Sequence, residues 1–178
     1  MDNLSTELRI LASLLGAPDM DAKEAVQELA AHYAWLKPAA AELDETPLDV
    51  WQAEHTRLFV SGYPTTPCPP FESAYLSGRM YGPQERKLKD LYQRLGMMPF
   101  HAPADYLGTM LECLALLNAE PDVGRAFWSE LWDRHLGRWV PRFCRELQAE
   151  SNMVLYRIMA ERLCILFPEV KHTMTAVA

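Results

Sequence analysis

Apolar residues recur along this chain at steps of three and four, with polar residues filling the positions between them. Ala22, Val26, Leu29, Tyr33 and Leu36 form one such stripe. Others are Leu88, Leu91, Tyr92 and Leu95; Leu107, Met110, Leu111, Leu114 and Leu117; and Leu136, Val140, Phe143 and Leu147. Val154, Leu155, Ile158, Met159 and Leu166 form the last. That spacing places the apolar side chains on one face of an α-helix. No segment shows sustained alternation with a β-branched bias, so no sheet is expected. The predicted fold is all-α, a globular bundle of about seven to eight helices. Residues 1–168 are expected to form one all-helical domain, with 169–178 as a flexible C-terminal tail.

Several helix starts are marked by caps. Thr46-Pro47-Leu48-Asp49 offers a capping hydroxyl, proline at the first helical position and a first-turn carboxylate. Gly82-Pro83-Gln84-Glu85 and Ala102-Pro103-Ala104-Asp105 repeat the proline-then-acid pattern, and Glu120-Pro121-Asp122 starts another helix. Asp21 and Glu24 resemble a capping box. Each cap is worth about 1 kcal/mol.

Two connectors are longer than the rest, residues 61–82 and 96–103. The first contains Thr66-Pro67-Cys68-Pro69-Pro70-Phe71-Glu72-Ser73-Ala74-Tyr75, after a further proline at Pro64. Proline fixes φ and lacks an amide donor, so this run reads as a stiff, extended connector. It is either an ordered loop whose Phe71 and Tyr75 plug the core, or a wall that holds a partner. Glu72, if buried, needs a charged or hydrogen-bonding partner, and Arg57 at the end of the preceding helix is the candidate.

Two more segments stand out. In Glu54-His55-Thr56-Arg57-Leu58-Phe59-Val60, Glu54 and Arg57 share a helix face and can ion-pair, while Leu58 and Phe59 anchor the helix. In Pro103-Ala104-Asp105-Tyr106-Leu107-Gly108, Asp105 is expected in a first helical turn, where the helix dipole favours an anion. Gly108 inside a helix costs about 1 kcal/mol against alanine, which suggests close approach of a backbone or a ligand.

Composition narrows the class. Nearly half of the 178 residues are apolar, which suits a globular domain. The net charge of −7 lies wholly in residues 1–60, with 11 Asp/Glu against 4 Lys/Arg; the remainder holds 13 of each. That imbalance argues against nucleic acid and favours basic partners. No apolar run is long enough to cross a bilayer and no secretory signal is evident, so a cytoplasmic location is expected. Cys68, Cys113, Cys144 and Cys164 form no C-x-x-C pair; the last three lie in apolar stripes and read as buried hydrophobes. His32, His55, His101, His135 and His172 are scattered, with no metal-binding spacing, and no phosphate-binding glycine loop is present. Neither a catalytic nor a metal site is expected. Nine methionines, including Met97-Met98, suit core filling or an adaptable apolar groove.

Taken in order, Glu54-x-x-Arg57-Leu58-Phe59, Pro67-Cys68-Pro69-Pro70-Phe71-Glu72-Ser73, Pro103-x-Asp105-Tyr106-Leu107 and His135-Leu136-x-x-Trp139-Val140-Pro141-x-Phe143 resemble the TorD/DmsD/NarJ family of molybdoenzyme maturation chaperones. Order and spacing agree over roughly residues 50–145. His55 stands where that family usually has an aromatic, and Tyr106 where it often has histidine. The resemblance implies a TorD-like helical bundle without catalytic turnover. It implies a cytoplasmic chaperone that binds the twin-arginine signal peptide of a molybdenum-containing oxidoreductase precursor, assists cofactor insertion and delays export. The peptide-binding residues it implies are Glu54, His55, Leu58, Phe59, Pro70, Phe71, Glu72, Tyr75, Asp105 and Tyr106, with Arg57, Pro103 and Gly108 in structural roles. It implies no resident cofactor beyond weak guanine-nucleotide binding, contact with the twin-arginine translocase or the membrane surface, and a monomer or helix-swapped dimer. A nucleotide hydrolase and a permanent non-catalytic subunit of a redox complex are the alternatives.

Overall fold

The computed structural model describes residues 3–97, 102–119 and 121–175. Its α-helices are α1 (Asn3–Leu14), α2 (Ala22–His32), α3 (Lys37–Glu45), α4 (Leu48–His55), α5 (Glu72–Ser77), α6 (Pro83–Arg94), α7 (Leu107–Ala119), α8 (Pro121–Leu131), α9 (Gly137–Glu150) and α10 (Val154–Thr175). A 3₁₀ turn (Ala34–Leu36) precedes α3, and wider π turns follow α4 (Thr56–Val60) and α8 (Trp132–Leu136). With 121–150 counted as one continuous stretch there are nine helices among the described residues, eight of them seven residues or longer. The expected all-α bundle is what forms. The chain divides into two compact units, one of residues 3–15 and 70–141, the other of 16–69 and 142–175.

In the first unit α7 is the core element. Leu107, Met110, Leu111, Cys113, Leu114 and Ala115 are all fully buried, so the helix is enclosed on more than one face. α1 and α8 pack on it and α5 packs on α6. Asn118 donates from Nδ2 to Ser5 Oγ at 3.0 Å, tying α7 to α1. The α6 stripe is buried as expected at Leu88, Leu91 and Tyr92, and the Tyr92 hydroxyl donates to the Ala104 carbonyl at 2.9 Å.

In the second unit α3 packs against α2 and α10. Glu42 on α3 accepts from the amides of Val154 at 2.8 Å and Leu155 at 3.0 Å. A carboxylate from another helix thus satisfies the open N–H groups at the start of α10, with the favourable sign for the helix dipole. Trp51 donates to the Tyr156 hydroxyl at 2.9 Å, and Phe59 stands edge-on to Tyr156 and stacked on Phe143.

Local readings of the sequence hold less well at the helix ends. The stripe from Ala22 to Leu36 is broken at Tyr33, whose extended backbone closes α2 before the 3₁₀ turn. Asp21 makes no side-chain cap; its own amide donates to Asp19 instead, so the capping box does not form. Thr46 ends α3 rather than starting α4, its hydroxyl donating to the Glu42 carbonyl at 2.7 Å, and Pro47 takes the N-cap position. Gly82-Pro83 opens α6 as expected. The start at Glu120 and the Met98–His101 part of the second connector lie outside the described residues. α10 continues through residues 169–175, expected as tail. Cys164 is exposed, against expectation, because it follows the buried Leu163 and points about 100° away from that face. Burial, reinforced by the neighbouring Cys164, pushes the Cys144 thiol far above its usual range.

Candidate functional site

The expected site residues fall into the two units, and each set has its own construction. In the second unit, α4 ends in a π turn at Thr56–Val60. Glu54 and Arg57, three residues apart, meet there as expected, in a two-pronged pair: Nε to Oε2 at 2.8 Å and Nη2 to Oε1 at 2.9 Å. The same carboxylate accepts from the Asn152 amide at 2.7 Å and the Asn152 side chain at 3.3 Å, while Arg57 reaches the Glu150 carbonyl at 2.6 Å. Glu54 therefore clamps the turn between α9 and α10. Burial pulls its carboxyl upward, but Arg57 and Asn152 together outweigh burial and hold it below the usual value of 4.5.

Leu58 and Phe59 are core residues, 0% and 4% exposed, and His55 is buried edge-on to Phe59 at 5.2 Å. Leu58 thus has no surface to offer a groove. Its carbonyl accepts the Cys68 amide at 2.9 Å, which pins the proline loop from below. Burial, reinforced by Glu146 and Glu150, pushes the Cys68 thiol up to about 12, so it is a packing residue.

In the first unit the proline run stays extended only as far as Phe71; Glu72-Ser73-Ala74-Tyr75 is helical, as the start of α5. Phe71 and Tyr106 form an isolated antiparallel bridge, with Glu72 N–H to Asp105 O at 3.0 Å and Leu107 N–H to Pro70 O at 2.9 Å. Two separate sequence motifs thus pair backbone to backbone. Asp105 is not in a first turn of its own helix, since α7 starts at Leu107. It is fully buried, and its Oδ2 accepts the Ser73 amide at 3.0 Å and the Ser73 hydroxyl, so it caps α5 instead. The Phe71 and Tyr106 rings lie 5.5 Å apart and are half-buried. Tyr106 also lies over Gly108, where an added methyl would overlap its ring. A side chain of the chain itself, rather than a ligand, accounts for that glycine.

Glu72 does not pair with Arg57. It is buried against His135, whose Nδ1 lies 2.7 Å from Oε2. Sequence offered no reason to couple positions 63 residues apart, and Arg57 is already engaged by Glu54. Among the described residues, Glu72 Oε1 and Asp105 Oδ1 have no hydrogen-bond partner. Tyr75 stacks at a tilt on Trp139, 5.1 Å between centroids. Pro70 is buried; Pro103, Phe71, Tyr75 and Tyr106 are the members of this set that keep accessible surface.

Residues 19–145 match the family described as the nitrate reductase delta subunit. That span is more than half of the chain. The chain belongs to this family, the NarJ/TorD-type chaperones. A crystal structure of an Archaeoglobus fulgidus protein assigned as a redox enzyme maturation protein shares the fold, with a TM-score of 0.70 and 23% identity over 96% of each chain. No curated protein matches the chain at a significant level. The delta-subunit match covers the Glu54–Arg57 pair and the Phe71–Tyr106 bridge. Among the described residues, no helix is long and apolar enough to cross a membrane.

Proposed function

We propose that this maturation protein binds the twin-arginine signal peptide of a molybdenum-cofactor-containing oxidoreductase, assists cofactor insertion and delays export until the enzyme has folded. The observation that carries the reading is the Phe71–Tyr106 pair. Two half-buried rings stand side by side on a backbone bridge that buried Asp105 holds in place. Such a rigid aromatic surface suits the apolar stretch of a leader peptide, because little side-chain freedom is lost on contact.

The basic end of the leader needs carboxylates. Glu54, Glu72 and Asp105 do not serve, because all three are buried and already hold backbone or side-chain donors. The net negative charge of the chain remains, −7 in all. It acts as a field that attracts arginines and weakens with salt.

Isothermal titration with the leader peptide of a candidate client tests the reading. Phe71→Ala and Tyr106→Ala should each weaken binding about tenfold, the cost of one well-packed aromatic contact. Unchanged affinity in both variants would overturn it.

A further inference from the structure

A second surface of the first unit has a chemistry that leader binding does not use. An open cavity of about 590 Å³ is lined by Lys87, Asp90, Arg94, Glu130, Asp133, Arg134, His135 and Arg138. That volume is in the range of small-molecule sites, although its lining lacks their usual apolar character. Every side chain in the lining carries or can carry a charge. Four are permanent cations and three are carboxylates, a local net charge of +1 in a chain of −7.

Two of the three carboxylates are occupied, while Asp90, exposed on α6, makes no ion pair among the described residues. Glu130 accepts from Arg94 at 2.9 Å and lies 3.5 Å from Arg134, so two guanidiniums share one acid. Arg94 is further held over the Phe127 ring at 5.3 Å. Asp133 accepts the Ser129 hydroxyl at 2.9 Å. Among the described residues no His/Cys/Asp/Glu group is arranged to hold a metal ion, so these acids do not form a cation site. Lys87 and Arg138, by contrast, make no ion pair among the described residues. Lys87 stands seven residues from Arg94 along α6, about 10 Å of helix rise, and Arg138 lies eight residues from Glu130, beyond the π turn. The cavity therefore has one end closed by an ion pair and free cations away from it. His135 is buried in the wall, and its Nδ1 is held by Glu72, so the ring is fixed in orientation.

We propose that this cavity binds a small polyanion, carrying phosphate or carboxylate groups, between Lys87 and Arg138. Lysine offers a compact charge and arginine a planar fork of donors, and both are free to close on an oxyanion. Arg134, which shares Glu130 with Arg94, is the third cation able to turn toward it. Because His135 joins this cavity to Glu72, the residue after Phe71, an occupant would press on the element that starts the aromatic bridge. The site stands independently of leader binding.

Titrating the intact protein with sodium pyrophosphate and, in parallel, with sodium citrate tests the proposal and separates the two anion chemistries. Saturable 1:1 binding tighter than about 1 mM is expected for at least one of them. Lys87→Ala and Arg138→Ala, both at exposed positions, should each weaken it about tenfold, the worth of one charge-assisted hydrogen bond. Lys37→Ala in the second unit should leave it unchanged. Absence of binding by both anions overturns the proposal, as does equal weakening by Lys37→Ala or no weakening by the Lys87/Arg138 double variant. Unfolding curves for each variant exclude loss of fold as the cause.

Discussion

Each unit buries carboxylates that hold a turn or a helix start, yet they satisfy them in opposite ways. Glu54 in the second unit accepts four hydrogen bonds, two from a guanidinium three residues away and two from Asn152. Neither of its oxygens is left over. Asp105 and Glu72 in the first unit are bound to partners 32 and 63 residues away, and each keeps one oxygen without a hydrogen-bond partner among the described residues. A carboxylate fully surrounded by donors is a structural clamp, and its neighbours Leu58 and Phe59 are correspondingly sealed. A carboxylate satisfied on one side only holds a bridge whose aromatic rings stay half-open. The difference separates a support from a surface able to bind.

The largest expected effect breaks the clamp. Glu54→Ala leaves Arg57 only the Glu150 carbonyl and takes the acceptor from two Asn152 donors, and should cost about 3 kcal/mol, read as a lower urea midpoint. Asp105→Ala removes the Ser73 bonds but also a buried carboxylate with one oxygen unsatisfied, so about 2 kcal/mol is expected by the same measurement. A larger loss from Asp105→Ala than from Glu54→Ala would invert the comparison. Gly108→Ala gains helix propensity but drives a methyl into the Tyr106 ring, for a net cost of about 1 kcal/mol. Because it displaces that ring, it should also weaken leader-peptide binding; unchanged affinity would detach Tyr106 from the binding surface.

The smallest effect is a pH dependence. The Glu54 carboxyl is held below 4.5 in the folded chain, so the unfolded state binds its proton more readily. Its contribution is complete above the unfolded value and is lost as pH falls through the lower folded value. The acid limb of a stability–pH curve should therefore be shallower in Glu54→Gln than in the parent chain. Identical limbs would mean that Arg57 and Asn152 do not stabilise the charged form.

Much of this was legible from spacing. The helical stripes at 88–95, 107–117 and 136–147 bury as the period of 3.6 requires, because one face of each helix must leave water. The Glu54–Arg57 pair was legible for a similar reason: helix geometry alone brings positions three apart together. Helix ends were read less well. Thr46 and Asp21 have the residue type of an N-cap, but cap formation depends on the backbone turn that precedes the helix. Gly108 was correctly singled out as a close-approach position, while the group approaching it, Tyr106 two residues earlier, was not foreseen.

By itself, the sequence determined the all-α class, the positions of most helices, the local Glu54–Arg57 pair and the family to which the chain belongs. Those follow from periodicity, i,i+3 geometry and ordered motifs, all short-range properties of a chain. The partner of Glu72, the role of Asp105 as a cap for another helix and the charged cavity beside His135 were decided only by the tertiary structure. A buried carboxylate demands a donor but does not say which, and several arginines and histidines were available. Only the path of the chain, bringing residues 70–73 beside 103–107 and 135, made the choice.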